Sequence, residues 1–397
     1  MINLARRDVA NHLGRYVLTG VGLGLLIGVT LTMAGVYRGM VDDAKVLLRA
    51  GGADIWVVQK NTLGPFAEAS NLPDDAYRSI DGLLGVAETG NVAYLTTQVG
   101  YGGKDLRVMV AGYEPGKMGG PAFLMAGRPI SKSHYEAVAD VKTGFKLGDS
   151  IQIRRNQYEV VGLTQRMVSS GGDPMVYIPL KDAQEAQFLR DNDAIVNDRD
   201  RLAMNPAVNR PGQPGILKAV EAIQTTSHRV NAILVRVEDG HSPEEIAENI
   251  KRWKHLNAFT NADMEEILIA KLIATAAKQI GLFLVILAIV SAAIVAFIIY
   301  TMTMGKVKEI AVLKLIGTRD KTIASMIMQE ALGLGFIGFF VGKFAATLWA
   351  PVFPKYVLLE TTDAGRAFAI TLVICALASL LAIRAALAID PAEAISG

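Results

Sequence analysis

Few residues in this chain combine type and spacing in a way that could do chemistry, and those that do are ionisable groups set in or beside long apolar runs. Glu330 and Lys343 interrupt one run and Arg384 another. Between two runs lies the basic stretch Lys306-Val-Lys-Glu-Ile-Ala-Val-Leu-Lys-Leu-Ile-Gly-Thr-Arg-Asp-Lys321. A charge in hydrocarbon costs a few kcal/mol on insertion scales and often marks a pathway, yet a long side chain near an interface can also reach water. Glu330 and Lys343 lie within a few turns of opposite interfaces and Arg384 at a boundary, so snorkelling is the expectation for all three. In the basic stretch, Ile310, Leu313 and Ile316 or Gly317 keep a helical spacing, with Lys308 and Lys314 elsewhere on the surface. That pattern predicts an amphipathic helix which either lipid headgroups or a protein partner would cover.

Motifs for catalysis or cofactors do not occur: there is no Gly-rich loop ending in Gly-Lys-Ser/Thr, no His-Glu-x-x-His and no Gly-x-Ser-x-Gly. Any ATP that drives this protein is therefore expected on another chain, and no catalytic residue is assigned. The only cysteine, Cys375, falls in an apolar run, which excludes disulfides and cysteine-rich zinc sites. His12, His134, His228, His241 and His255 have no close ligand-like spacing, so no metal site is expected. A net charge of +2 gives no basic field of the kind nucleic-acid binding uses.

The elements that position these residues are membrane spans. Hydrophobic residues make up 51% of the 397 and charged ones 20%, which is apolar for a soluble protein. A span needs roughly 20 apolar residues at ~1.5 Å rise each. Four are predicted, at 16–37, 279–303, 323–350 and 367–389. Arg6, Arg7 and Arg15 precede the first, and Lys306, Lys308, Lys314, Arg319 and Lys321 lie between the second and third. Short loops rich in Lys and Arg stay in the cytosol. The N-terminal amphipathic segment 1–15, the loop 304–322 and the tail 390–397 are thus expected inside, and the loop 351–366, with Lys355 and Arg366 against Glu360 and Asp363, outside. The first run is too long for a signal peptide and ends in Gly-Val-Tyr-Arg, which favours an uncleaved anchor.

Residues 38–278 then form one extracytoplasmic insert, so the expected fold class is an α-helical membrane protein of four transmembrane helices with a large α+β domain between helices 1 and 2. Ala53–Gln59, Val86–Thr97, Leu106–Ala111 and Asn231–Glu238 read as strands, and Pro73–Ile80 and Pro243–Trp253 as helices, with His255–Thr260 a further strand. These compose a lobe from 52–111 and 230–262. A second lobe, 112–229, holds a hairpin at Ser150–Arg154 and Tyr158–Leu163 and a strand at Met175–Pro179. The Pro- and Gly-rich stretch Asn205–Gly215 reads as an exposed loop. Met40–Arg49 and Asp263–Lys278 are helical in pattern and would extend the first two spans as a stalk. Gly24-x-x-x-Gly28 and Gly338-x-x-x-Gly342 permit close helix contact, within one protomer or across a dimer seam.

Lys308-Glu-Ile-Ala-Val-Leu-Lys-Leu-Ile-Gly317, with Ile323 and Gln329-Glu-Ala331, resembles the FtsX-like permease family of ABC transporters, the group with the macrolide-exporter and lipoprotein-release permeases. Gln329 adjoins Glu330 directly, so that element matches only approximately. Gly127-Arg128-Pro129, Leu147-Gly148-Asp149, Tyr158–Gly162, Val176–Leu180, Val235–Gly240 and Asp390–Ala394 support the match by order and spacing. The resemblance implies a homodimer in the bacterial cytoplasmic (inner) membrane that docks on a separate ABC ATP-binding subunit, which would hold ATP and Mg²⁺. It implies that Lys308, Glu309, Ile310, Leu313, Lys314 and Gly317 are the coupling residues, and that ATP-driven closure is passed through the stalk to the periplasmic domain. A membrane-fusion protein and a TolC-type outer-membrane channel are the further partners it implies. Macrolide-exporter permeases carry the ATPase on the same chain and this sequence does not, so its layout is nearer to separate-subunit forms such as the heterocyst glycolipid exporter. The function so implied is export of an amphiphilic or hydrophobic compound, lipid or lipoprotein. The alternative is a non-transporting complex that regulates a periplasmic cell-wall hydrolase.

Overall fold

The computed structural model describes residues 13–68, 70–188, 200–209, 215–217 and 228–388. The chain divides into two compact units, one of Met1–Met40 and Thr275–Gly397, the other of Val41–Ala274.

Among the described residues of the first unit, four helices are long and apolar enough to cross a membrane. They are α1 (Leu13–Ala50), α6 (Ala274–Met304), α8 (Asp320–Trp349) and α9 (Thr361–Leu387), with the short α7 (Val307–Leu315) between the middle two. Helix α1 has 38 residues, about 57 Å of helical rise against a ~30 Å hydrocarbon core, so the expected span and its stalk extension belong to one continuous helix. Helix α9 begins six residues before the predicted span, because Thr361 to Arg366 form a polar first turn that a hydropathy reading trims away.

The two small-residue faces pack against each other inside the protomer. A methyl built on Gly342 would sit 2.5 Å from the Gly24 carbonyl oxygen, and one on Gly28 would sit 3.0 Å from the Gly342 carbonyl oxygen. Helices α1 and α8 therefore meet at backbone distance, and Trp349 Nε1 donates to Thr32 Oγ1 at 2.6 Å just beyond. Of the two uses the sequence left open for these glycines, the structure assigns the intramolecular one. Helix α8 turns another face to α9, where Phe336, Phe339 and Phe340 surround Phe368 and Gly335 abuts Cys375. Helix α6 is the exception: only 11% of its most apolar window is buried, against 33–39% in the other three. Its buried residues, Val295, Ile299, Met302 and Thr303, lie toward its C-terminal end.

The second unit is built on a ten-stranded sheet in the order β12-β1-β11-β3-β4-β9-β6-β8-β5, with β7 on β8. The strands are β1 (Ile55–Gln59), β3 (Val86–Tyr101), β4 (Lys104–Tyr113), β5 (Leu124–Gly127), β6 (Glu136–Asp140), β7 (Ser150–Ile153), β8 (Asn156–Thr164), β9 (Met175–Pro179), β11 (Ala232–Val237) and β12 (Leu256–Thr260), while β2 (Leu72–Pro73) and β10 (Arg229–Val230) pair separately. Val57, Ile233, Val110, Ile178 and Val160, from strands across the sheet, share one fully buried apolar core. Strand β4 pairs in parallel with β9, Val110 opposite Val176, so the two stretches read as separate lobes share one sheet. That pairing joins residues some 66 positions apart, which no local pattern reveals. Helix α2 (Tyr77–Asp81) is short, while α3 (Leu180–Phe188) and α4 (Pro243–Lys251) cover the sheet through Leu180 and Ala183, and through Ile246, Ala247 and Ile250. The described part of the Pro- and Gly-rich loop, 205–209, is largely exposed, and 210–214 lie outside the described residues.

Strand β12 leads directly into α5 (Asn261–Ile267) through a capping box, in which Thr260 Oγ1 accepts from the Asp263 N–H and Asp263 accepts from the Thr260 N–H. A six-residue π-helical segment, Leu268–Ile273, follows before α6. Lys45 of α1 pairs with Glu265 of α5 at 2.8 Å, fastening the two stalk helices together.

Candidate functional site

Helix α7 starts where α6 is brought to a stop. Gly305 N–H bonds the Thr301 carbonyl at 2.9 Å and Lys306 N–H the Thr303 carbonyl at 3.1 Å, which turns the chain. Lys306 occupies the N-cap, and its side chain runs back into the bundle instead of capping. The ammonium lies 2.9 Å from Glu330 Oε2, donates to Tyr16 Oη at 3.0 Å and stands 5.3 Å from the centre of the Tyr16 ring. Lys306 is 6% exposed and Glu330 8%. One buried charge pair thus joins α1, the α6–α7 junction and α8. A void of about 10 Å³ beside it, lined by Tyr16, Thr303, Ile327 and Glu330 among others, is near the least that admits one water.

This corrects the snorkelling expectation for Glu330. Its carboxylate turns inward to the Lys306 ammonium, because a matched pair in the bundle satisfies both charges without reaching water. Lys343, by contrast, is exposed.

The other end of α7 is fixed twice. Gly317 adopts φ +85°, its N–H bonds the Lys314 carbonyl at 3.0 Å, and Thr318 N–H bonds the Leu313 carbonyl at 3.0 Å. These are the two bonds of a Schellman cap, and the left-handed residue is glycine because a Cβ is strained there. The Lys314 ammonium donates to the Leu387 carbonyl at 2.8 Å, at the C-terminus of α9, where a cation meets the negative end of the helix dipole.

Between these anchors the helix shows two faces. Val307, Ile310, Ala311 and Lys314, at i, i+3, i+4 and i+7, turn inward, with Ile310 and Ala311 at 2% and 3% exposure. Lys308, Glu309, Val312, Leu315 and Ile316 turn outward, and the three apolar ones are 49%, 62% and 73% exposed. Of the six residues singled out from sequence, Lys308, Glu309 and Gly317 are on the surface, Leu313 and Lys314 are half-buried, and Ile310 is inside the bundle. Ile310 therefore acts by seating the helix. Ile316 belongs to the apolar stripe read from sequence, whereas Val312 and Leu315 do not, because Ile310 and Leu313 set the spacing of that stripe. Two interleaved stripes at helical spacing were the available signal.

The second unit offers no comparable arrangement. Among the described residues no group of His, Cys, Asp and Glu could hold a metal ion. Its most distinctive charge is Glu136, buried at 1% exposure and held at about 2. The Arg128 guanidinium lowers it most; burial opposes this, and the Ser131 and Lys132 N–H groups assist. Together these bonds fold the 128–136 loop around one carboxylate.

Compared with known proteins, the chain matches the MacB-like periplasmic core domain over residues 16–253 and the FtsX-like permease C-terminal region over residues 281–391. It is 24% identical over 397 residues to the uncharacterized ABC transporter permease Rv0072 of Mycobacterium tuberculosis (strain H37Rv), with 100% of each chain covered. It is 25% identical over 397 residues to the uncharacterized ABC transporter permease Mb2592 of Mycobacterium bovis, again with 100% of each covered. Among solved structures, the periplasmic region of MacB from Actinobacillus actinomycetemcomitans aligns at 12% identity and TM-score 0.35, over 56% of this chain and 95% of that one. The extracellular domain of the noncanonic ABC-type transporter YknZ from Gram-positive bacteria aligns at 11% and TM-score 0.31, over 51% and 100%.

Proposed function

We propose, for a chain that belongs to the FtsX-like permease family of ABC transporters, that α7 is the surface on which the separate ATP-binding subunit docks. The observation that carries this is the outward row Val312, Leu315 and Ile316, flanked by Lys308 and Glu309, on a helix whose own anchoring is complete without them. An apolar centre with a charged rim is the composition of a protein interface. The orientation that goes with it puts α7 and both termini in the cytosol and Val41–Ala274 on the far side of a bacterial cytoplasmic membrane.

On this reading, nucleotide-driven movement of the ATPase displaces α7 and reaches the periplasmic unit through α1 and through α6 and α5. The work done there is export of an amphiphilic or hydrophobic substrate, lipid or lipoprotein. A homodimer is part of the proposal, and α6 is the helix for its seam, because the glycine faces of α1 and α8 are used within the protomer. A membrane-fusion protein leading to a TolC-type channel is the proposed outer partner.

The test is Leu315→Glu combined with Ile316→Asp, reconstituted with the ATPase subunit. ATPase stimulation and co-purification should both fall at least tenfold, while the thermal stability of the permease alone stays as in wild type, since both side chains are already solvent-facing. Wild-type stimulation by this variant sinks the docking surface and leaves the exposed row to lipid headgroups.

A further inference from the structure

At the end of the helical bundle away from α7, a cavity of about 190 Å³ opens between α1, α8 and the start of α9. Its apolar walls are Leu31, Ala34, Ala346, Leu358, Leu359 and Ala364, and its polar edge is Lys343, Glu360 and Asp363. The segment before α9 is fixed in place as one wall: Leu358 N–H bonds the Gly35 carbonyl at 3.0 Å.

The charges at the edge are not equivalent. Arg38 reaches Glu360 at 2.7 Å and makes a two-pronged contact with Asp363, and Arg366 stands 3.8 Å from Asp363. Both carboxylates are thereby matched by guanidinium groups. Lys343 has no carboxylate partner among the described residues, although it lines the same cavity. It sits six residues before the end of α8, which places it about 9 Å inside the helix terminus. Lys343 is exposed and lines the edge of this apolar pocket, so its ammonium can serve a ligand head at the rim. The volume is below the roughly 300–1,000 Å³ of a site that takes a whole drug-sized ligand. It fits the end of one chain, with the remainder of the ligand outside.

We infer that this cavity binds one acyl chain of an anionic amphiphile, with the phosphate or carboxylate of its head on Lys343. The apolar walls take the chain, the Arg38–Glu360–Asp363 cluster closes the polar end with its charges mutually satisfied, and the single unmatched cation selects the sign of the head. The site rests on the permease reading only for the side of the membrane it faces. Its occupancy requires no ATPase, so binding and docking fail independently.

The experiment uses the full chain in phosphatidylcholine nanodiscs and three photoactivatable diazirine probes, hexadecanoate, phosphatidylglycerol and phosphatidylcholine, with crosslinked peptides located by mass spectrometry. Labelling in residues 31–35 or 343–364 by either anionic probe, at about tenfold the level of the phosphatidylcholine probe, is the expected result. Phosphatidylglycerol alone identifies the ligand as a membrane lipid and hexadecanoate alone as a free single-chain acid. Lys343→Gln should lower that labelling about tenfold and Lys343→Arg should retain it. Ala34→Phe should remove it by filling the cavity, and Ala364→Leu, from the opposite wall, serves if that variant does not fold. Absent labelling, equal labelling by all three probes, or labelling unchanged in Lys343→Gln or in the cavity-filling variant overturns the site.

Discussion

The charge pair that seats α7 can be tested by removing its members singly and together. Lys306 and Glu330 are 2.9 Å apart and 6% and 8% exposed. At an effective dielectric of about 20 their attraction is about 6 kcal/mol, most of which offsets the cost of taking both ions from water. Lys306→Met withdraws the ammonium from a carboxylate that stays inside the bundle, and Glu330→Met does the converse. Each should cost about 3–5 kcal/mol. The double variant leaves two apolar side chains of similar length in the same space and should return to within about 1 kcal/mol of wild type. Tyr16→Phe keeps the ring and removes the hydroxyl that accepts from the ammonium, and should cost about 1.5–3 kcal/mol. Equilibrium unfolding of the detergent-purified chain gives the four stabilities and the coupling energy of the cycle. A coupling energy below about 0.5 kcal/mol, with the two single effects simply adding, refutes the buried pair. The same four proteins, mixed with the ATPase, separate seating from docking. The double variant folds but has lost the charged tether, so its ATPase stimulation should fall although Val312, Leu315 and Ile316 are untouched.

Two further outcomes follow from the packing. Gly342→Val inserts a branched side chain where even a methyl meets the Gly24 carbonyl oxygen at 2.5 Å, so it should destabilise the bundle by about 1–3 kcal/mol or more, read as a lower melting temperature of the purified chain. Glu136 is held at about 2, below its ordinary 4.5, so the stability it contributes is full above pH 4.5 and lost as pH falls toward 2. Glu136→Gln should therefore lower the melting temperature of the periplasmic unit at pH 7 and flatten its dependence between pH 4.5 and 2.

Those predictions draw on features of unequal legibility. The spans, the Pro243–Lys251 helix with proline at its first position, the Met175–Pro179 strand and the Gly317 stop were all readable, because each depends on residues within a few positions of one another. The order of the sheet was not. Strand β9 pairs with β4 from 66 residues away, and β6 lies between β9 and β8, antiparallel to one and parallel to the other. At the site, the helix and its cap were legible while its facing was not. A nine-residue helix with apolar residues on both sides presents two candidate stripes, and only the placement of α1, α8 and α9 decides which is covered. Tyr16 is unremarkable until the bundle brings it to Lys306, and Glu330, conspicuous as a charge in an apolar run, is given its partner only by the same packing.

The anchoring of α7 also constrains how a push on it would travel. Through Lys306 it is bonded to α1 and α8, and through Lys314 to the end of α9, so its displacement cannot be absorbed by one helix alone. Helix α6 is different: it is continuous with α7 in the chain, but only its last turns are buried in the bundle. At its other end it is preceded by the π-helical Leu268–Ile273, whose wider turn departs from the α-helical ladder. Lys45 and Glu265 pair at 2.8 Å between α1 and α5, and as substantially exposed groups they add at most about 1 kcal/mol to the contact of the two stalk helices.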